Sequence, residues 1–300
     1  MEIATAEIQE TKIISAREKL AAFFELTKPR IAFMLVLTSA AGFYLGADKG
    51  FNLMVFVNAM LGITLLAFGV ATLNQVWERK TDALMERTAK RPLPTNKVSV
   101  AEALIFGLLL CLTAEIYLAV LVNSLTAILG IVVIVGYVLL YTPLKTRTSM
   151  STAIGAIPGA MPPLMGFTSA ANEITLGAWT LFALLFLWQF PHFLAIAWMY
   201  REQYAKAKIL MLPVIEPEGK ITAQQIVIFT LLLIPVSLAP YFLGIAGVVY
   251  LAGASLLGMW FLAASIQTAR AKTTEQARKL LLVSVIYLPI IFALMVFNHK

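Results

Sequence analysis

A succession of apolar stretches, each long enough to cross a lipid bilayer, sets the strongest limit on how this chain can fold. An α-helix needs about 20 predominantly apolar residues to span the hydrocarbon core. The stretches therefore predict an all-α integral membrane protein, a bundle of nine transmembrane helices around a central cavity. We place the nine spans at residues 31–47, 51–76, 99–121, 124–142, 151–170, 177–200, 222–241, 243–267 and 280–297.

The composition agrees with a membrane protein and excludes several other classes. Hydrophobic residues make up 60% of the chain and charged residues 13%, with a mean hydropathy of +0.85. A soluble chain of 300 residues could not keep so many apolar side chains out of water. Cys111 is the only cysteine, which excludes an internal disulfide and a thiolate metal cluster.

The first thirty residues differ from the rest of the chain. They carry five glutamates and no continuous apolar core, so they do not read as a cleaved signal peptide. We expect residues 1–30 to form a retained cytoplasmic tail in front of a transmembrane domain over residues 31–300. Residues 8–26 are either a short amphipathic helix on the membrane surface or part of a disordered tail.

The net charge of +7 is distributed as in a membrane protein that has its amino terminus in the cytoplasm. With that orientation, 21 of the 23 lysines and arginines lie on the cytoplasmic side, and only Lys49 and Lys300 lie outside. The positive-inside rule explains this excess without a nucleic-acid partner. It also predicts that the carboxyl terminus lies outside. The long loops follow spans two and six on the cytoplasmic side, and we therefore expect the function on that side.

Three prolines interrupt the fifth span at Pro158, Pro162 and Pro163. Each proline removes a helical hydrogen bond, and in lipid the freed carbonyl must face protein or a wet cavity. The segment is therefore interpreted as a helix lining an internal chamber, with ordinary kinking as the alternative.

Acids and cations alternate in NQVWERKTDALMERTAKRPLP, residues 74–94, directly after the second span. If the helix continues, Asn74, Glu78 and Asp82 lie one turn apart on one face. Amide and carboxylate oxygens suit Mg²⁺, which commonly bridges such ligands to a substrate phosphate. A solvated loop that obeys the positive-inside rule would explain the basic residues but not the acids. The cations available for the remaining phosphate charge are Arg87, Lys90 and Arg91.

This motif resembles the first acidic motif of the intramembrane prenyltransferases, the UbiA superfamily, and within it the haem O synthases (protohaem IX farnesyltransferases). The resemblance extends in detail from about residue 25 to residue 215. Further stretches that agree, in the same order, are ELTKPRI (25–31), YTPLKTRT (141–148), GAIPGAMPPLMGF (155–167), WQFPHFLAIAW (188–198) and MLPV (211–214).

The resemblance implies a reaction that joins the farnesyl group of farnesyl diphosphate to a vinyl group of haem b. Water supplies the new hydroxyl, and the product is haem O for terminal oxidases. Mg²⁺ held by Asn74, Glu78 and Asp82 is the implied cofactor. The implied setting is a bacterial inner membrane, with the active mouth facing the cytoplasm. Membrane lipid, haem A synthase and oxidase assembly factors are the implied partners.

The second acidic motif of the superfamily is altered in YREQYAKAKILMLP, residues 200–213. Tyr200 and Tyr204 stand where the quinone prenyltransferases carry aspartates, and Glu202 is the remaining acid. A second chelated Mg²⁺ is therefore in doubt, and we expect cations such as Arg201 to bind part of the diphosphate instead. A solvated loop is the alternative for Glu202.

Lys145 and Arg147 follow the fourth span at the same membrane level as the acidic motif. Lys145 lies in the YTPLKTRT block, which resembles a block typical of the haem branch. The resemblance therefore favours a role for Lys145 in neutralising the departing diphosphate. Mere compliance with the positive-inside rule is the alternative for both residues.

His192 is one of two histidines and lies within the sixth span, directly after Pro191. Ionisable side chains inside a bilayer usually face the bundle interior and mark a site. Imidazole is also a common axial ligand of haem iron. We predict that His192 contacts haem, and the alternative is a neutral histidine that bonds to a neighbouring helix.

Two other functions compete with haem farnesylation. One is a related prenyltransferase that acts on an aromatic or chlorophyllide acceptor, against which the Tyr200 and Tyr204 substitutions and the WQFPHF block argue. The other is a haem transporter without chemistry, which has no need for a column of Asn74, Glu78 and Asp82 at one mouth.

Overall fold

The computed structural model describes residues 15–48 and 50–300, and nearly all of them are helical. This part of the chain has no β-strand, only an isolated bridge between Ala246 and His299. The predicted all-α class is therefore confirmed. The helices are α1 Ala16–Leu26, α2 Pro29–Leu45, α3 Leu53–Asp82, α4 Val100–Leu121, α5 Ser124–Ile134, α6 Thr142–Leu144, α7 Ser151–Gly159, α8 Met161–Ala171, α9 Leu176–Met199, α10 Arg201–Lys206, α11 Leu212–Ile215, α12 Lys220–Phe242, α13 Val248–Ala271 and α14 Thr274–Phe297.

Seven helical segments among the described residues are long and apolar enough to cross a membrane. They are α3, α4, the continuous segment from α5 to α6, α9, α12, α13 and α14. The chain is thus a multi-pass integral membrane protein. The other two predicted spans take different forms: residues 31–47 become the 17-residue helix α2, and residues 151–170 are divided into α7 and α8.

The division of the fifth span falls at Ala160, just ahead of two prolines. Pro162 and Pro163 occupy the first turn of α8, where a backbone N–H has no partner within the helix. Helix α8 is buried along most of its length and packs against α2. A Cβ atom on Gly42 or Gly166 would collide with the backbone of the facing helix, so only glycine permits this close approach.

The fourth span changes its helical pitch before it ends. A π-helical segment, Val135–Tyr141, joins α5 to α6. The Thr142 amide bonds to the carbonyl of Tyr137, and the Thr142 hydroxyl donates to the same oxygen at 2.7 Å. Single-turn π-helical insertions are frequent at functional sites. This one ends at Tyr141 and is followed directly by Thr142 and, one short helix later, by Lys145.

Helix α1 packs against α3. It begins with a capping box between Ser15 and Glu18, and its Leu26 carbonyl accepts a hydrogen bond from Gln75 of α3 at 2.9 Å. Residues 8–14 of the predicted surface helix lie outside the described residues. The domain boundary at residue 30 and the membrane-surface position of this helix stay predictions.

Candidate active site

The candidate site is built on the last turns of α3. Because α3 stays helical to Asp82, the side chains of Asn74, Glu78 and Asp82 follow one another one turn apart on one face. Arg79 and Lys80 in the final turn favour this extension, since cations stabilise a helix carboxyl terminus. Asn74 and Asp82 are 1% exposed, so two of the three oxygen donors are withdrawn from water.

One side-chain oxygen of each residue in this column accepts a hydrogen bond from a cationic side chain, and the three cations come from different parts of the chain. The cations come from the start of α2, from the end of the fourth span and from the loop after α3. The pairs are Lys28 Nζ to Asn74 Oδ1 at 2.7 Å, Lys145 Nζ to Glu78 Oε1 at 2.6 Å, and Arg91 Nη1 to Asp82 Oδ2 at 2.8 Å.

Lys28 is the site residue that the sequence analysis missed. It precedes Pro29 and adopts a left-handed backbone conformation with φ of 49°, which is uncommon for a residue with a side chain. This conformation brings Nζ to Asn74, whose amide nitrogen in turn donates to Thr142 at 3.1 Å. Burial, followed by the nearby Arg91 charge, lowers the pKa of Lys28 to about 7. The only sequence signal was a cation within the Glu25–Ile31 stretch.

Lys145 is held in the site by three contacts. Besides the Glu78 ion pair, its ammonium lies 4.4 Å from the centre of the Tyr141 ring. Its backbone carbonyl accepts from the Leu210 amide at 2.8 Å, which joins it to the loop after α10. Burial by itself would lower the pKa of Lys145, but the Glu78 carboxylate outweighs burial and raises that pKa well above its usual range.

The altered second motif lies beside the first and holds one of its cations. The Arg87 guanidinium lies 4.9 Å from the ring centre of Tyr200 and 5.5 Å from that of Tyr204. Arg87 Nη2 also donates to the Tyr204 hydroxyl at 3.0 Å. The two tyrosines therefore orient the Arg87 guanidinium. The aspartates that stand at these positions in the quinone prenyltransferases would instead suit a metal ion.

In the part of the chain that the structure describes, the other predicted residues of this region do not pair with the column. Lys90, Arg147 and Glu202 are exposed, and Arg201 donates to the Trp198 carbonyl at 2.9 Å while its guanidinium stacks on the Trp198 ring. Within residues 15–48 and 50–300, no three His, Cys, Asp or Glu side chains lie together as metal ligands. A metal at the column would therefore need the Asn74 amide as its third protein ligand.

His192 lies on α9 and faces α14. Its Nδ1 is 2.8 Å from the Ser284 hydroxyl, and its ring stacks on Trp188 with the ring centres 4.5 Å apart. Trp188 donates its indole N–H to the Ser284 carbonyl at 2.8 Å. The side chain of His192 is half-buried, and its contacts are aromatic rings and a hydroxyl.

Comparison with known proteins identifies the family. The UbiA prenyltransferase family matches residues 35–294 of this chain. The chain belongs to the UbiA prenyltransferase family. A relative named protoheme IX farnesyltransferase, from Solibacter usitatus, is 46% identical over 286 residues, which cover 92% of this chain and 98% of the relative.

Solved structures show the UbiA fold as well. A digeranylgeranylglyceryl phosphate synthase structure superposes with a TM-score of 0.79 at 17% identity, covering 94% of this chain and 98% of the other. A UbiA homologue from Archaeoglobus fulgidus bound to GPP and Mg²⁺ has a TM-score of 0.64 at 16% identity, covering 91% and 99% of the two chains. At these identities the likeness establishes the fold alone.

Proposed function

We propose that this protein transfers the farnesyl group of farnesyl diphosphate to a vinyl group of haem b, with addition of water, and so produces haem O for terminal oxidases. The observation that carries the proposal is the column of Asn74, Glu78 and Asp82, each paired with a cation, at one end of an apolar bundle. The named function of the Solibacter usitatus relative, at 46% identity, supports the choice of acceptor and donor.

The column fits a divalent cation of the Mg²⁺ type. Its donors are one amide and two carboxylates, all hard oxygen ligands, and the Asp82 carboxylate is nearly fully enclosed. A buried carboxylate needs a positive partner, which Arg91 and Lys145 supply to Asp82 and Glu78. We propose that Asn74, Glu78 and Asp82 hold Mg²⁺. When bound, that ion would neutralise charge on the departing diphosphate.

The cations around the column would bind the diphosphate itself. Three cations, Lys28, Lys145 and Arg91, donate hydrogen bonds to the proposed metal ligands. A diphosphate beside the column would therefore lie near their N–H groups and could accept from them. Fixed positive charges at the leaving group stabilise the charge that develops there. The apolar bundle would keep water from the allylic cation until the bond to haem forms. We also assign to diphosphate binding Arg87, Lys90, Arg147 and Arg201.

We place haem b against His192. Its neighbours Trp188 and Phe193 are flat apolar rings that suit a porphyrin face, and the imidazole is a suitable iron ligand. The site would then hold the two substrates by different chemistry: cations and a metal for the diphosphate, and aromatic rings with one imidazole for the haem. No side chain is required as a covalent nucleophile.

The decisive experiment is expression in a bacterial membrane that lacks this activity, followed by extraction and chromatography of the haems. We expect haem O to appear. If the protein is folded in the membrane and only haem b is recovered, farnesylation of haem is excluded. Prenylation of an added aromatic or chlorophyllide acceptor would then indicate the related activity, and haem movement without any product would indicate a transporter.

We further propose nine membrane crossings in a bacterial inner membrane, with the amino terminus and the site in the cytoplasm and the carboxyl terminus outside. Haem A synthase or oxidase assembly factors would receive the product. In a Cys111→Ala background, Lys90→Cys is expected to react with an impermeant thiol reagent only from the cytoplasm, and Glu173→Cys only from outside. Labelling of both from the same side, or in the reversed pattern, would contradict this topology.

A further inference from the structure

The hydrogen bonds around Ser284 determine which nitrogen of His192 carries the proton. The Ser284 hydroxyl is 2.6 Å from the Leu281 carbonyl, which can only accept, so the single hydroxyl proton points to that oxygen. Toward His192 the Ser284 Oγ can then only accept. With the hydroxyl proton directed to Leu281, the contact of 2.8 Å between them is assigned as a hydrogen bond donated by Nδ1–H of the imidazole.

The protonation of Nδ1 leaves Nε2 with a free lone pair. Among the described residues, the partners of the His192 ring are the Ser284 hydroxyl and the rings of Trp188 and Phe193, none of which is a carboxylate. An intramembrane position disfavours the charged form of the imidazole. A neutral imidazole that donates from one nitrogen presents the other as an acceptor or metal ligand. In the described residues, the hydrogen bonds of His192 use Nδ1 alone, so the structure leaves Nε2 available.

Ser284 also restrains the ring that lies on the imidazole. Its backbone carbonyl accepts from the Trp188 indole, and Trp188 stacks on His192 with an interplanar angle of 23°. One buried residue of α14 thus controls both the tautomer and the orientation of the imidazole on α9. Metal-bound histidines commonly donate their second ring N–H to such a partner, which orients the ring and increases its basicity.

We propose that Ser284 is a positioning residue for haem: it holds His192 in the Nδ1–H tautomer so that Nε2 can bind the haem iron. This inference rests on the proposed function, since it requires haem b as a substrate held by His192. It adds a residue on α14, a helix on which the sequence motifs place no site residue.

The test uses purified full-length protein titrated with haem b, with absorption and resonance Raman spectra of the bound ferrous haem. Ser284→Ala removes the hydroxyl but keeps the backbone carbonyl that Trp188 uses. We expect its affinity for haem b to fall about tenfold and the iron–histidine stretching band to shift to lower frequency, as for lost partners of metal-bound histidines. Ser284→Thr is expected to restore both, and His192→Ala to abolish the band.

Ser237→Ala is the matched control. Ser237 is also a buried serine whose hydroxyl donates to the carbonyl three residues earlier, on α12 at 2.8 Å, but it does not contact His192. Its haem affinity and spectrum are expected to equal those of the wild type. Farnesyl diphosphate affinity, measured on every preparation, should be unchanged in Ser284→Ala, which separates positioning from a general loss of structure.

Two results would overturn the inference. If Ser284→Ala binds haem with wild-type affinity and an unshifted band while the wild type produces haem O, the positioning role fails and the proposed function stands. If His192→Ala keeps the wild-type band, iron is bound elsewhere and the role of Ser284 fails with it. Absence of haem O from the wild-type membranes would instead count against the proposed function.

Discussion

Asp82→Asn and Glu78→Gln are each expected to lower the turnover of haem b about 100- to 1000-fold, a loss typical of removing one electrostatic group that stabilises transition-state charge. Both substitutions keep the size of the side chain and remove one negative charge from the column on α3. The protein should still enter the membrane and bind haem, because His192 lies on a different helix, α9. Steady-state rates of haem O formation across a range of Mg²⁺ concentrations provide the measurement.

Glu86→Gln is the control for these two variants. Glu86 follows on the same segment and is exposed, so it tests the loss of a nearby carboxylate outside the column. Its rate should match the wild type. Wild-type rates for both Asp82→Asn and Glu78→Gln at limiting Mg²⁺ would show that the column does not hold the metal.

Lys145→Met is expected to lower turnover about 100-fold, as for the loss of one group that stabilises transition-state charge, and also to destabilise the protein. The side chains of Lys145 and Glu78 are 17% and 11% exposed, so the variant would leave a nearly buried carboxylate without its cation. Removal of one partner of a buried pair costs about 3–5 kcal/mol in the free energy of unfolding. Thermal stability in detergent and the rate of haem O formation should both fall.

The double variant Glu78→Gln with Lys145→Met separates these two effects. Because it removes both charges together, it should regain much of the stability lost in Lys145→Met. Turnover should remain low, since neither the metal ligand nor the cation at the diphosphate is restored. Recovery of turnover together with stability would mean that Lys145 acts only as a structural partner of Glu78. Lys97→Met, at an exposed lysine, is the charge control.

The arrangement of the acidic column follows from local rules, and the sequence was sufficient to predict it. Asn74, Glu78 and Asp82 are four residues apart, and helical geometry places such residues on one face wherever the helix lies. Seven of the nine predicted spans recur, among the described residues, as helices long and apolar enough to cross a membrane, since span length reflects the thickness of the bilayer. For the fifth span, the prolines led us to predict one helix that lines a chamber or is kinked, whereas the structure divides the segment into two helices at Ala160.

The partners of these residues depend on contacts across long stretches of chain, and no local pattern reports them. The Lys28–Asn74, Lys145–Glu78 and His192–Ser284 contacts join residues 46, 67 and 92 positions apart. Lys28 additionally requires a left-handed backbone angle that precedes Pro29 and that no propensity favours.

The membrane class, the helical column of Asn74, Glu78 and Asp82 and the family of the chain thus follow from the sequence, because periodicity, length and motif order are properties of neighbouring residues. Which cation pairs with which residue of the column, how Tyr204 orients Arg87, and that His192 bonds to Ser284 became evident from the packed helices. Those outcomes depend on how helices pack, because packing brings together side chains that are far apart along the chain.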